Sequence, residues 1–260
     1  MKMASKFRKG FSFIAFLFVA LGMVSCRTYK KQIPTGSAFR TENVYVSLSY
    51  DHSKILNVFL LPLENPYEDP DLEVQRSDLS TSLLRNFAKF HYFHINCDKS
   101  FSLENRQKIV DLETGKIDAF KVGALGREYN AQAIMKVSIS EYRPYFPMRM
   151  NIRALLLDSL TGERIWAFDE IFDSDDAEVV NGMRYWWNSR IAGGDETNRF
   201  SLSKLRPSFF MNYIFYTMAD SYARTRVKNV KAIERLKVLE ERKVKSIKEK
   251  EKRIYGRSSK

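Results

Sequence analysis

The sequence predicts an α/β (α+β) fold: a mixed sheet with a C-terminal antiparallel meander, helices packed on one side, and a long basic C-terminal helix. Three observations carry this expectation. Ile55-Leu56-Asn57-Val58-Phe59-Leu60-Leu61 is a near-continuous apolar run stopped by Pro62, the pattern of a central strand buried on both faces. Leu79, Leu83, Leu84 and Phe87 then recur at helical spacing, with Arg85 and Lys89 elsewhere on the wheel. Finally the period changes to two, as Ala133, Met135, Val137 and Ile139 alternate with Gln132, Lys136, Ser138 and Ser140.

Ahead of the first strand, Lys2, Lys6, Arg8 and Lys9 form a basic start, an apolar run follows from Phe11 to Val24, and Ser25-Cys26 comes next. A basic region, a short apolar region and a small residue describe an export signal over residues 1–25. The apolar run is shorter than the ~20 residues that span a bilayer. Its end resembles a bacterial lipobox, with Met23 where leucine is usual. That resemblance implies that Cys26 becomes the mature N-terminus and carries acyl chains. Each buried methylene contributes roughly 0.8 kcal/mol, so more than one chain anchors a protein without a transmembrane helix. The plainer alternatives are an uncleaved short anchor or an ordinary signal peptide. Residues 26–43, with Lys30-Lys31 and Pro34-Thr35-Gly36, are a polar tether.

The body is predicted over 44–223. Glu64 to Asp71 is a loop, and Tyr92 to Cys97 the next strand. Ser102 is placed to cap a short helix holding Ile109, Val110 and Leu112. A further helix is expected with Ile117, Phe120, Ala124 and Leu125 on one side. After Pro144 and Pro147 the meander resumes, with Met150, Ile152, Ala154 and Leu156 alternating against Arg149, Asn151 and Arg153. Thr161-Gly162 turns the chain into Ile165-Trp166-Ala167-Phe168. One face of this meander is expected on the core and the other in solvent. Asp173 to Arg190 reads as a helix, Ile191 to Arg206 as a loop, and Pro207 opens an apolar helix marked by Phe210, Ile214 and Met218.

Charge is unevenly distributed. The chain is formally +12, but residues 224–260 hold fifteen basic and five acidic residues, and the signal holds four basic and no acidic ones. The stretch from Cys26 to Ala223 is therefore slightly acidic, which argues against a nucleic-acid-binding domain, whose charge sits on the fold. In the tail, Val230, Ile233, Val244, Ile247 and Ile254 follow a heptad seam, but Lys237, Glu240 and Glu251 fall on the same seam. The tail is either a solvated basic helix or a surface for an anionic partner such as phospholipid head groups, lipopolysaccharide or acidic cell-wall polymers. Lys243, Lys245, Lys248, Lys250, Lys252 and Arg253 are its candidate anion-binding residues.

No hydrolase elbow, phosphate loop or dinucleotide fingerprint occurs in the sequence. Gly123 and Gly126 lie inside a helical pattern and suit close helix packing. His91, His94 and Cys97 do not make a metal site on a strand: His94 points away, and the other two sit ~20 Å apart at ~3.3 Å per residue. With Cys26 lipidated, Cys97 has no disulfide partner and reads as a buried hydrophobe. Asp173-Ser-Asp175-Asp176 lacks the later residues of a calcium loop and fits a helix N-terminus. Tyr185-Trp186-Trp187, beside Arg184 and Arg190, is a candidate contact for a carbohydrate or a partner, because consecutive helical rings face different ways. No catalytic residue, metal or cofactor is assigned.

The order of elements carries a resemblance. The strand ending in Leu61-Pro62, then Leu125-Gly126-Arg127-Glu128-Tyr129, Ala131-Gln132-Ala133-Ile134, Glu141-Tyr142 and Leu157-Asp158-Ser159-Leu160-Thr161-Gly162-Glu163-Arg164-Ile165-Trp166 are similar to the small α/β domain of three groups. These are the TolB N-terminal domain, the LpoB-type synthase activators and the CsgG-type curli secretion lipoproteins. The resemblance covers residues 44–172 and rests on turns and core. It implies an envelope protein that binds other proteins or assembles into rings. With the lipobox, the basic tail and the missing catalytic motifs, it makes the expected role that of a membrane-anchored, non-enzymatic binding or scaffolding component whose partners are envelope proteins or anionic polymers. The alternative it raises is an oligomeric secretion-channel subunit, which would need long amphipathic hairpins. Arg27 after Cys26, with no aspartate there, favours the outer membrane and a periplasmic face by resemblance to Gram-negative sorting.

Overall fold

The computed structural model describes residues 37–98, 109–111, 115–190 and 197–255. Cys26, Ser102 and Leu112 lie outside the described residues. Six strands form one mixed sheet: β1 (Val44–Val46), β2 (Asn57–Leu60), β3 (His94–Asn96), β4 (Ala133–Arg143), β5 (Arg149–Asp158) and β6 (Arg164–Asp173), in the order β1-β6-β5-β4-β2-β3. β2 runs parallel to β3 and β4, and the β4-β5-β6-β1 half is antiparallel. The helices are α1 (Pro70–Ala88), α2 (Ala119–Glu128), α3 (Ala177–Arg190), α4 (Thr197–Ser203) and α5 (Pro207–Tyr255). α1 begins where the Asp69 carboxylate accepts from the amides of Asp71 and Leu72 at 2.9 and 3.3 Å, and Pro70 stands where no amide donor is needed.

The main core lies on one face of the sheet. Val58, Met135, Val137, Ile152, Leu156, Trp166 and Phe168 pack against Leu79, Leu83 and Phe87 of α1, Met183 and Trp186 of α3, and Phe210, Ile214 and Met218 of α5. The other face carries a smaller core. There Phe59, Leu61, Ile134, Leu155 and Leu157 meet Val122 and Leu125 of α2 together with Ile109 and Val110. Three helices thus share the face that the patterning predicts, and α2 covers the opposite one.

This second layer removes the solvent face expected at the start of the meander. Lys136 and Ser138 are buried. Lys136 reaches Glu64 at 3.0 Å and donates to the Val110 carbonyl, so its charge is paired inside the fold. Alternation returns farther along β4, where Glu141 and Arg143 are exposed and Tyr142 is buried.

α2 also turns differently from the expected stripe. A side chain at Gly126 would strike Ser159 in the β5–β6 turn, so the glycine lets helix and turn meet closely. That approach faces Val122 and Leu125 inward and leaves Phe120 82% exposed and Ala124 exposed. Before it, Val110 bridges antiparallel to Ile117, with Asp118 donating to the Ile109 carbonyl at 2.9 Å. Val110 is therefore extended, not helical, because two β-branched residues pair over the smaller core. Cys97 is exposed rather than buried, since it ends the edge strand β3. Within the expected loop after α3, α4 forms because Phe200 buries against Phe209, with ring centroids 6.1 Å apart. At the N-terminal side, Phe39 packs on Phe172 at 4.7 Å and its amide donates to the Glu178 carbonyl, so residues 37–43, the described end of the stretch read as tether, are seated on the body.

The matched turn is structural. Asp158 accepts from the amides of Leu160 and Thr161, the Thr161 hydroxyl and the Tyr50 hydroxyl, and Gly162 follows with φ +72°. Burial pushes the Asp158 carboxyl up, but these donors hold it below the usual carboxylate value.

α5 continues past residue 223 as one helix; its buried contacts with the body reach Asn229, and an ion pair of the exposed Lys237 with Asp51, at 3.9 Å, lies farther along. His52, fully buried, is the socket. Its amide donates to Asn229 Oδ1 at 3.4 Å, its carbonyl accepts from Arg226 Nε at 3.3 Å, and its ring lies between the Ser47 carbonyl and the Tyr222 hydroxyl. Burial lowers the His52 pKa, so the folded chain binds fewer protons there than the unfolded chain. This contribution to stability is present above the unfolded value near 6.5 and is lost as pH falls below it toward the depressed folded value. Melting temperatures measured between neutral pH and pH 5 should fall more steeply for the natural chain than for His52→Gln. Parallel curves would assign the acid sensitivity to other groups.

Candidate functional site

Three helices build a groove at one end of the molecule. α1 brings Arg85 and Lys89 on one exposed face, four residues apart, opposite its buried Leu79 and Leu83. The chain then turns at His91, where φ is +53°. α3 brings Trp186 and Trp187. The start of α5 brings Ser208, Phe209, Asn212 and Tyr216, preceded by Arg206. Together these residues line an open groove of about 740 Å³. A second groove of about 860 Å³ shares Arg85 and His91 and follows Tyr92 to Asn96 toward β3.

The floor is aromatic. Trp186 contacts Phe209 at 5.2 Å and Tyr216 at 6.0 Å, Trp187 meets Phe209 edge-on at 5.4 Å, and Phe90 lies 5.7 Å from Tyr216. Beneath it, Asn212 Oδ1 accepts from the Ser82 hydroxyl and the Asn86 amide, while Asn86 Oδ1 accepts from Lys89. This network ties α1 to α5 and holds the floor in place. The rim is cationic: Arg85, Lys89 and Arg206 are all exposed, and no carboxylate lines the groove among the described residues.

The aromatic triplet is thus divided by the helical step. Trp186 is 6% exposed and fills the core, Trp187 is half-buried on the groove wall, and Tyr185 is 39% exposed on a different side and does not line the groove. Sequence reasoning found the tryptophans and missed Arg85, Lys89 and Arg206 as their neighbours. The spacing of Arg85 and Lys89 on one helical face was the available signal.

Of the other candidates, Asp173 accepts from the Asp175 amide at 2.9 Å and Asp176 from the Glu178 amide at 2.7 Å, which caps α3. Among the described residues, no group of three or more His, Cys, Asp or Glu side chains could hold a metal ion. No helix of the described residues is long and apolar enough to cross a membrane. Lys243, Lys245 and Lys248 are exposed on α5, and the side chains of Lys250, Lys252 and Arg253 lie outside the described set. From Glu234 to Ser246 every side chain is exposed, Leu236, Leu239 and Val244 included.

No protein-family model and no curated protein matches the sequence. Several solved structures are similar in shape. The PelC dodecamer from Paraburkholderia phytofirmans shows 10% identity over 66% of this chain and 94% of its own, with a TM-score of 0.34. Lipoprotein GNA1162 from Neisseria meningitidis shows 14% identity over 45% and 79%, with a TM-score of 0.29. The LpoB C-terminal domain from Salmonella enterica shows 15% identity over 45% and 82%, with a TM-score of 0.29. Likeness at this level attaches no activity, ligand or assembly state to the chain.

Proposed function

We propose that this chain is a bacterial envelope lipoprotein, anchored through acyl chains on Cys26, that acts as a non-enzymatic binding or scaffolding component of an envelope assembly. The observation that carries the reading is the pattern from Lys2 to Cys26: a basic start, a short apolar run and a small residue before a cysteine, ahead of a folded body. Two features support binding over catalysis. The groove sets exposed cations beside ring faces, a pairing suited to holding an anionic ligand. The exposed part of α5 offers lysines to an anionic surface. The outer membrane, facing the periplasm, is the favoured site because Arg27 follows the cysteine. A channel subunit would need long hairpins, whereas β4 and β5 are joined by residues 144–148 alone.

Cys26→Ser tests the anchor. The variant should lose acyl labelling and either leave the membrane fraction or accumulate as an uncleaved precursor. Unchanged mass and labelling would reject a lipid on Cys26.

A further inference from the structure

We propose that the groove between α1, α3 and the start of α5 binds an acidic saccharide, a chain of sugar rings carrying carboxylates. The proposal deepens the binding reading above and is independent of the lipid on Cys26. Three observations converge on this chemistry. First, Arg85, Lys89 and Arg206 stand on the rim of one groove with no lining carboxylate among the described residues, so the site is complementary to an anion. Two of the three are arginines, whose planar forks match carboxylates bidentately. Second, the wall and floor present rings: Trp187 half-buried, backed by Phe209, with Tyr216 and Phe90 beyond. A ring that is apolar on its faces and polar at its edge suits the flat face of a sugar. Third, a second groove lies beside the first and shares Arg85 and His91 with it, so successive units of a chain have two neighbouring places to lie.

A peptide fits less well. An extended acidic peptide gains affinity from main-chain hydrogen bonds to a free strand. The walls between α1, α3 and α5 are mainly helical and offer side chains rather than a free strand, and the edge strand β3 borders only the neighbouring groove.

The three tryptophans make the test direct. Trp166 is fully buried and Trp186 nearly so, which leaves Trp187 to report on the groove. The detergent-solubilised full-length protein is titrated with a short oligogalacturonate while tryptophan emission is followed. The expected result is a saturable change that a neutral oligosaccharide of the same length does not produce. Arg85→Gln combined with Arg206→Gln should weaken it by at least about tenfold, the loss of charge-assisted hydrogen bonds. Lys243→Gln combined with Lys245→Gln and Lys248→Gln should leave it unchanged. Both arginines are exposed, so an unaltered circular dichroism spectrum is expected of their variant. Absence of a saturable response overturns the proposal. So does an equal response to polyglutamate, which would make the groove an acidic-peptide site. Loss of binding in the lysine variant but not in the arginine variant also overturns it, while leaving the broader binding reading intact with the tail as its seat.

Discussion

Val137→Asp should abolish the cooperative fold at room temperature. Val137 is fully buried at the centre of β4, opposite Ala154 of β5, on the face covered by α1 and α5. An aspartate there has no cation or donor to meet, so it either stays ionised without a partner or takes up a proton at a cost. Either route costs several kcal/mol, against a typical total stability of about 5–15 kcal/mol. Glu141→Gln on the same strand is the control. Its ion pair with Arg149, at 3.1 Å, is half exposed to solvent, and such pairs contribute about 0–1 kcal/mol. Equal losses of melting temperature in the two variants would show that the register of β4 is wrong.

The second large effect lies at the base of the tail. Truncation after Val230 should leave a cooperative melt close to that of the whole chain, because among the described side chains it removes only the partly buried Ile233, the ion pair of the exposed Lys237 with Asp51 and otherwise exposed side chains. Truncation after Ala223 removes Arg226 and Asn229. Gone are the bonds from Arg226 to the His52 carbonyl, from Asn229 to the Leu48 carbonyl and from the His52 amide to Asn229, and the stacking of Arg226 over Tyr92 at 4.7 Å. At roughly 1 kcal/mol for each of these hydrogen bonds the loss is about 3 kcal/mol, or about 10 °C in melting temperature for a domain of this size. Scanning calorimetry of the two truncations separates them. Equal melts would mean that α5 docks only up to Ala223.

Much of the fold is legible in the residues. The run Ile55–Leu61, stopped by Pro62, points to a buried strand, and β2 occupies Asn57–Leu60 of it with Leu56 left exposed, while the alternation from Met150 to Leu156 gives both the strand and its inward face. The misreadings have a common physical cause, a tertiary neighbour far away in sequence. Lys136 looks solvent-facing until Glu64 and the Val110 carbonyl cover it. Phe120 looks like core until Gly126 brings α2 onto Ser159 by its other face. The glycine was a local hint, since close approach marks the packed side of a helix. The groove was legible only as fragments. Trp186 and Trp187 stand out as a cluster, but Arg85 lies about a hundred residues before them, and only the packing of α1 on α5 puts it alongside. The basic tail was legible as composition, and its continuity with the apolar start of α5 follows from there being no breaker between Pro207 and Tyr255.

The proposal that the basic part of α5 holds the protein at anionic surfaces of the envelope is tested most directly by flotation with phospholipid vesicles. A chain beginning at Arg27, free of both lipid and the apolar run Phe11–Val24, is mixed with vesicles containing anionic phosphatidylglycerol at low salt and then at high salt. The account predicts that the protein floats with the vesicles at 0.1 M salt and is released near 1 M, since the Debye length falls from about 10 Å to about 3 Å. Lys243→Gln with Lys245→Gln and Lys248→Gln should weaken that flotation. Failure to float even at low salt, in a protein whose melt shows it folded, would contradict the account and leave α5 a solvated helix.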